Sequence, residues 1–186
     1  MTEAEYLNGR LLLALPGMPD PRFARSAIAM VAHDANGALG IGVGMLAGDI
    51  RLHRLLEDLE IEPGLAPDVP VLLGGPVETQ RGFVLHSADW TSPATIDAGP
   101  IGALTTSIDV LRAIAEGQGP AKWLVALGYA GWGAGQLDGE MARHGWHAAT
   151  GRPEIIFDTP VEKRWEAAWR AEGIDPALLS ETSGHA

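Results

Sequence analysis

Glycine and proline interrupt this chain of 186 residues at short intervals, since it contains 24 glycines and 13 prolines. Both residue types disfavour the interior of helices and strands, so each cluster of them marks a turn or a loop. The elements between the clusters must be short, and no period repeats, which excludes fibrous folds. Hydrophobic residues make up 46% of the chain, enough to close a core. We therefore expect one compact domain over residues 1–186, with a flexible tail from about residue 180.

Apolar runs and apolar spacing predict the elements of this domain. Short apolar runs predict strands over 11–15, 27–32, 39–45, 69–73, 82–86, 101–104, 122–127 and 154–157. Helical spacing or capping sequences predict one helical turn over 20–25 and helices over 52–59, 106–116, 136–144 and 159–173. Asp49 is the predicted N-cap of the first long helix. The segment between the strands 69–73 and 82–86 is so short that we expect these two strands to be neighbours.

Three glycines alternate along the strand predicted over 39–45. Gly40, Gly42 and Gly44 share one face, because successive residues of a strand point to opposite faces. That face carries almost no side chains. We therefore expect another part of the molecule, most simply another backbone, to approach it closely.

The chain is strongly acidic, with 13 basic and 24 acidic residues and a formal net charge of −11. Binding of duplex DNA needs Lys and Arg side chains that neutralise phosphates, and the sequence contains no run of basic residues. The absence of cysteine excludes disulfides, thiol nucleophiles and thiolate metal sites. The acidic N-terminus does not resemble a signal peptide, and no apolar stretch reaches the ~20 residues of a membrane span. We expect a soluble cytoplasmic protein that does not bind membranes.

The glycine-rich segment 128–135 stands between a predicted strand and a predicted helix, which is the setting of a phosphate-binding loop. Its glycines have the spacing G-x-G-x-G, whereas a dinucleotide loop needs G-x-G-x-x-G and a P-loop needs Lys before Ser or Thr. Packing is therefore the favoured interpretation of this segment. No G-x-S-x-G or H-E-x-x-H motif occurs. The sequence thus favours neither an ordinary α/β-hydrolase nor a metal site, and we expect no cofactor.

A polar pair follows the glycine-rich segment. Gln136 and Glu140 are four residues apart on a predicted helix and share one face. They form either an exposed polar stripe or a pair directed at the mouth of a groove. Trp132 stands among glycines, so it is the tryptophan that we expect to be exposed and to stack on a ligand.

Several motifs, in this order along the chain, resemble the AlgH (YqgE) family. They are LNGRLLLALPGM at 7–18, FARS at 23–26, HDANGALG at 33–40, GGPV at 74–77, GFVLH at 82–86 and GYAGWxxGQLDxE at 128–140. The resemblance covers about residues 6–173, which we take as the core of the domain. It implies a mixed α/β (α+β) fold with a bent, bifurcated, partly barrel-like sheet surrounded by helices. It also implies a bacterial cytosolic protein whose relatives are labelled transcriptional regulators, without an established enzymatic activity or cofactor.

These observations favour a non-enzymatic regulatory protein that binds a protein or a small molecule in a surface groove. The residues predicted to form this groove are Arg25, Gly74, Gly75, Pro76, His86, Trp132, Gln136 and Glu140. One alternative is a hydrolase in which His86 and Glu140 act as acid and base. A second alternative is direct nucleic-acid binding through a local arginine patch.

Overall fold

The computed structural model describes residues 6–17, 24–143 and 145–183, with side chains up to residue 179. The strands in these ranges are β1 (Leu11–Ala14), β2 (Ala27–Asp34), β3 (Gly37–Gly42), β4 (Leu46–Arg51), β5 (Pro70–Leu73), β6 (Val77–His86), β7 (Thr95–Asp97), β8 (Ala103–Thr105), β9 (Trp123–Gly133) and β10 (Trp146–Ala149). The helices are α1 (Leu52–Asp58), α2 (Asp109–Ala115), α3 (Gln136–Ala142), α4 (Pro153–Asp158), α5 (Arg164–Ala171) and α6 (Pro176–Ser183). The helical turn predicted over 20–25 falls mainly on residues outside the described ranges. The predicted flexible tail is helical as far as Ser183, and residues 184–186 lie outside the described ranges.

One long strand, β9, belongs to two sheets. In the first sheet, residues 130–133 of β9 pair with β3, and the strand order is β10-β1-β2-β3-β9. In the second sheet, the earlier residues of β9 pair with β5 and β6, and the order is β4-β5-β9-β6-β8-β7. The β5–β9 pair is parallel, whereas the other described pairs are antiparallel. The prediction of a mixed fold with a bent, bifurcated sheet is confirmed, and the sheet curls into a half-barrel flanked by helices.

The sheet divides at Gly128 of β9, a position that we call the fork. Gly128 has a φ of +76°, and a Cβ there would lie 2.3 Å from the carbonyl oxygen of Gly75. Opposite the fork, β6 bulges, because Val77 pairs with Tyr129 and Gly82 pairs with Leu127. Glycine thus allows the backbone to bend without ending the strand. The prediction that the strand ends at residue 127 is therefore wrong, and the glycine-rich segment continues β9 to Gly133.

The glycine face of β3 is closely approached, as predicted. A Cβ at Gly42 would lie 2.7 Å from the carbonyl oxygen of Leu73, and the Gly42 N–H donates a hydrogen bond to the Gly74 carbonyl at 2.7 Å. At Gly40 the close neighbour is a side chain, since a Cβ there would lie 2.5 Å from Cγ2 of Ile28. The strand predicted over 39–45 ends earlier, at Gly42.

Three apolar clusters hold the sheets and helices together. The largest packs one face of both sheets against α4 and α5, and it includes Leu11, Ile41, Leu85, Ile156 and Trp169. A second cluster packs α1 and α2 on the second sheet, and a third packs α3 on the other face of the first sheet. Full burial of one such large apolar side chain contributes roughly 1.5–3 kcal/mol. The predicted apolar face of the last long helix is confirmed, and Gly173, with a φ of +80°, follows its end.

Other local predictions are also wrong, and one strand was missed. Residues 154–157 lie in helix α4 rather than in a strand, since Pro153 fits the first turn of a helix. The strand at 146–149 was not predicted. Asp49 lies in β4 and does not cap α1. Finally, β5 and β6 are not neighbours, because β9 lies between them.

No helix within the described ranges is both long enough and apolar enough to cross a membrane.

Candidate functional site

A cavity of about 330 Å³ lies at the fork, between the two sheets. We call it the fork groove. Its walls come from β2, β3 and the segment after β3 on one side, and from β5, the following turn and β6 on the other. The lining residues are Ser26, Ala27, Ile28, Gly42, Gly44, Met45, Leu73, Gly74, Gly75, Pro76, Thr79 and Ala130.

Strand pairing explains why a groove forms at this place. Strands β3 and β5 both lie on the edge of β9 opposite β6, where β5 pairs at Ala126 and Leu127 and β3 pairs from Ala130 onward. Gly74, directly after β5, bridges β9 and β3. Its N–H donates to the Leu127 carbonyl of β9 at 2.8 Å, and its own carbonyl accepts from the Gly42 N–H of β3. Beyond this junction β3 and β5 diverge into different sheets, which leaves the groove between them.

Close backbone contacts at the junction require glycine at two predicted site positions. A Cβ at Gly74 would lie 2.2 Å from the Gly128 carbonyl oxygen, and a Cβ at Gly75 would lie 2.1 Å from the Tyr129 carbonyl carbon. Both distances are far below van der Waals contact, so a side chain at either position would push the strands apart. Gly44 differs, because its Cβ would lie 3.4 Å from the nearest atom, the backbone nitrogen of Ala27. Gly44 is thus a groove position that can accept a side chain.

The chemistry of the fork groove is apolar and uncharged. Its polar side chains are those of Ser26 and Thr79, and none of its described lining residues carries a charge. Small-molecule sites are typically cavities of about 300–1,000 Å³ with mostly apolar walls and a few polar groups. The groove lies at the small end of this range, and its walls suit an uncharged apolar group rather than a phosphate or a metal ion. The described residues contain no cluster of three or more His, Asp or Glu that could hold a metal ion.

The predicted segment from Trp132 to Glu140 lies beside the groove rather than in its lining. The indole N–H of Trp132 donates to Glu140 Oε2 at 2.8 Å, and Gln136 Oε1 accepts from the Gly133 N–H at 2.9 Å. Trp132 is half-buried and packs on the apolar cluster beneath α3. Ile28 and Ala130 belong both to that cluster and to the groove lining. The segment therefore adjoins the groove through these two residues, and the Trp132 indole is engaged within the chain.

His86 lies at the other end of β9. It pairs with Trp123, the first residue of β9, whereas Trp132 is nine residues further along, roughly 30 Å at the usual rise of a strand. The His86 side chain is fully buried, and burial lowers its pKa below the ordinary value, while the nearby Ser87 carbonyl opposes the shift. The structure therefore does not bring His86 into the groove or into contact with Glu140.

The His86 ring is held by a chain of hydrogen bonds. Nδ1 lies 2.8 Å from the Ser87 carbonyl oxygen, which can only accept, so Nδ1 carries the proton. Nε2 then accepts from the Thr105 hydroxyl at 2.7 Å, and the Thr105 oxygen lies 2.8 Å from the Thr95 hydroxyl. The backbone N–H of Ser92 donates to the Thr95 oxygen at 2.9 Å. Every polar atom of the imidazole thus has a partner within the chain.

Arg25 precedes the groove residue Ser26 but is exposed and faces elsewhere. Its guanidinium carbon lies 4.9 Å from the ring centroid of Trp165, a cation–π distance. Both residues line a separate shallow depression together with Glu166. Arg25 has a φ of +60°, so the chain turns sharply between that depression and the fork groove.

Two wider depressions border the bulge of β6, with volumes of about 630 and 890 Å³. Their arginines are paired with carboxylates: Arg81 with Glu78 at 3.6 Å, Arg51 with Asp68 at 3.5 Å and Arg54 with Asp58 at 3.3 Å. Beyond them, Lys122, Arg152 and Arg170 also pair with carboxylates at 2.7–3.7 Å. These ion pairs neutralise the positive charge that a phosphate backbone would need.

Sequence reasoning identified Gly74, Gly75 and Pro76 of the groove and missed its opposite wall. The alternating glycines of 40–44 were the signal for that wall, since Gly42 and Gly44 both line the groove. Ser26 lies in the FARS motif at 23–26 but was not predicted as a groove residue, and Thr79 carried no sequence signal, because isolated serine and threonine residues are common in loops and strand ends.

Comparisons with known proteins agree with one another. A family model described as AlgH-like matches residues 11–177. UPF0301 proteins of Novosphingobium aromaticivorans and Rhizorhabdus wittichii are 63% and 61% identical to the chain, over 100% and 97% of both sequences. The solution structure of the AlgH protein from Pseudomonas aeruginosa matches with a TM-score of 0.80 and 39% identity over 97% of each chain. A crystal structure of a Corynebacterium diphtheriae protein, at 21% identity and a TM-score of 0.73, shares the fold.

Proposed function

The chain belongs to the AlgH-like family, and on that premise we propose that it is a cytosolic, non-enzymatic regulator of gene expression that acts by binding a ligand in the fork groove. The observation that carries the proposal is the groove itself, an apolar cavity of about 330 Å³ whose walls belong to two different sheets. Gly74, Gly75 and Pro76, which the sequence singles out, form part of one wall.

A ligand in the fork groove would contact both sheets at once. Ala27, Ile28 and Gly42 come from the first sheet, and Leu73 and Gly74 come from the second sheet and the turn after it. A ligand that fits one relative position of the sheets better than another stabilises that position by its difference in affinity. This is how binding would be transmitted to the outer surface, where a partner protein could detect it.

The two alternative functions receive less support. A hydrolase using His86 and Glu140 would need both groups in one cleft, whereas His86 is fully buried and Glu140 is bonded to Trp132. Direct nucleic-acid binding would need unpaired cations on one face. In the described part of the chain, six basic side chains are paired with carboxylates, and the net charge is −11.

A groove-filling variant tests the proposed function. Gly44→Leu adds an isobutyl group to a groove position where the Cβ meets no atom closer than 3.4 Å. Gly139→Leu is the matched control, because Gly139 lies on α3 outside the groove lining and its Cβ would meet only the end of the Arg143 side chain, at 3.6 Å. Both variants are expected to fold, which circular dichroism and thermal unfolding can verify.

Transcript profiles of the native host then show whether regulation depends on the fork groove. If the protein regulates through the groove, the host carrying Gly44→Leu should reproduce the transcript changes of a strain in which the gene is deleted. The host carrying Gly139→Leu should resemble the wild type. A Gly44→Leu strain that is folded, expressed and indistinguishable from the wild type would refute the proposed function.

A further inference from the structure

Ser26 is a buried polar residue on the wall of the fork groove. Its exposed fraction is 5%, and it lies immediately before β2. Its backbone carbonyl accepts a hydrogen bond from the Ala14 N–H at 2.9 Å, so the backbone position is fixed by the neighbouring strand. The side chain therefore stands on a rigid element, as precise recognition requires.

The Ser26 hydroxyl makes no hydrogen bond to any residue in the described ranges of the chain. A ligand that covered this hydroxyl without pairing with it would remove its bonds to water without replacement. A hydroxyl can both donate and accept. Ser26 is a buried residue, but its Oγ is not one of the solvent-excluded atoms that lack a partner, so the hydroxyl opens into the cavity and can pair with a group that enters it.

The remaining walls restrict what that group can be. They consist of aliphatic side chains, Met45, Pro76 and glycine backbone, without a charged side chain among the described lining residues. A charged ligand would lose its hydration here without gaining a counter-ion. An anion would in addition approach a protein with a net charge of −11.

Thr79 is the other polar side chain of the groove, and its position differs from that of Ser26. Thr79 is exposed and lies in the bulge of β6, where it also borders both wider depressions. Water can satisfy its hydroxyl. Of the two hydroxyls, that of Ser26 stands on the more buried residue, so a ligand that fills the groove covers it more completely and must replace its contact with water.

We propose that Ser26 is a specificity-determining residue of the fork groove and that the ligand is a small, uncharged, mostly apolar molecule with a polar group that hydrogen-bonds to the Ser26 hydroxyl. This inference rests on the proposed function, since it describes the ligand of the same groove. The size of the cavity, about 330 Å³, sets the ligand at the small end of the usual range.

Three probes of one shape test the proposal: p-cresol, which has a hydroxyl, toluene, which lacks it, and p-toluate, which is charged. Each is titrated into the ¹⁵N-labelled protein, and binding is followed by the chemical shifts of the groove amides, including those of Gly44 and Gly75. In the wild type, p-cresol should bind roughly fivefold to tenfold more tightly than toluene, as one neutral hydrogen bond allows. p-Toluate should bind more weakly than either.

Two variants identify the hydroxyl that is responsible. In Ser26→Ala the ratio of the toluene and p-cresol dissociation constants should fall to about one, while toluene binding is unchanged. In Thr79→Val, the matched control from the same groove, the wild-type ratio should persist. The amide spectra themselves report whether each variant is folded.

The possible failures point to different conclusions. If no probe shifts the groove amides, both the present inference and the proposed ligand-binding function are overturned. If p-cresol and toluene bind but their ratio is the same in Ser26→Ala, the role of Ser26 is overturned and the groove function stands. If p-toluate binds as tightly as p-cresol, the ligand is not restricted to uncharged molecules and that part of the inference is overturned.

Discussion

The His86 site and the Ser26 site are both buried and polar, but they differ in how their hydrogen bonds are completed. At His86, the imidazole is hydrogen-bonded to the Ser87 carbonyl and the Thr105 hydroxyl, and the Thr105 hydroxyl is hydrogen-bonded in turn to Thr95. At Ser26, the hydroxyl has no partner in the described part of the chain, and a cavity of about 330 Å³ adjoins it.

This difference separates a structural role from a binding role. A histidine is often the first residue to be suspected of chemistry, yet a ring with both nitrogens occupied and no exposed surface contributes to stability instead. A serine that no site prediction names attracts little attention, yet its hydroxyl, without a partner in the described part of the chain, lies where a ligand can reach it. The residue type alone therefore does not indicate which buried polar group is functional; its hydrogen bonding and its access to a cavity must be considered together.

The largest expected effect would remove the groove beside Ser26 altogether. Gly74→Ala places a Cβ 2.2 Å from the Gly128 carbonyl oxygen, and the strands must separate to relieve the clash. We expect the free energy of unfolding to fall by about 3 kcal/mol, measured by urea denaturation. Gly44→Ala, on the opposite wall, is the control and should cost less than about 1 kcal/mol because its Cβ has room. Equal losses in the two variants would contradict the description of the fork.

A smaller effect is expected from breaking the hydrogen-bond chain at His86. Thr105→Val keeps the shape of the side chain but leaves Nε2 of His86 and the Thr95 hydroxyl without this partner. Because the His86 ring is buried and the Thr95 hydroxyl partly buried, the free energy of unfolding should fall by about 1–3 kcal/mol. Thr79→Val is the matched control at an exposed position and should change stability by less than about 0.5 kcal/mol. If Thr105→Val is as stable as the wild type, the hydrogen bonds from His86 to Thr95 do not stabilise the folded protein.

The pH dependence of stability gives a further test of the His86 site. Burial lowers the pKa of His86 in the folded state below the ordinary value of 6.5, so the unfolded chain takes up a proton first as the pH falls. The stability is therefore complete above pH 6.5 and declines as the pH falls below it, with a slope of at most roughly 1.4 kcal/mol per pH unit.

Denaturation of the wild type and of His86→Gln between pH 7 and pH 5 measures this slope. Glutamine can still donate to the Ser87 carbonyl and accept from Thr105, but it does not titrate. The slope should therefore be smaller in His86→Gln. The carboxyl groups of Asp68, Asp89 and Glu172 also have lowered pKa values, and their effect falls below this pH window. Identical slopes in both proteins would show that His86 does not titrate differently in the two states.

The smallest effect on stability is expected at Ser26. Because its hydroxyl has no partner to lose in the described part of the chain, Ser26→Ala should alter the free energy of unfolding by less than about 0.5 kcal/mol. The same urea denaturation measures it. A loss above about 1 kcal/mol would mean that the hydroxyl is bonded within the folded protein, and the contrast with His86 would disappear.

Much of the fold could be predicted because local patterns report burial directly. The apolar runs of β1, β2, β5 and β9 and the spacing of the leucines in α1 identified real elements. The mistakes arose where a pattern had two solutions. The apolar stretch at 154–157 is too short for its pattern to distinguish a buried strand from a buried helix. In the structure these residues form a helix that packs against the core.

The candidate site was predicted only in part for a related reason. Gly74, Gly75 and Pro76 were identified because a glycine pair before proline marks a sharp turn. Their partners on the other wall depend on β3 and β5 meeting the same edge of β9. No local pattern contains that information.

By itself, the sequence determined a chain of short elements, a strand face bare enough for another backbone to approach, and an acidic protein without thiol chemistry. Only the tertiary structure decided which of the distant segments share a cavity. His86 and Trp132 both belong to strands of one sheet system, yet the strand register sets them at opposite ends of β9. The physical reason is that side-chain periodicity fixes which face of a strand is buried, whereas pairing partner and register arise from backbone hydrogen bonds between segments far apart in the chain.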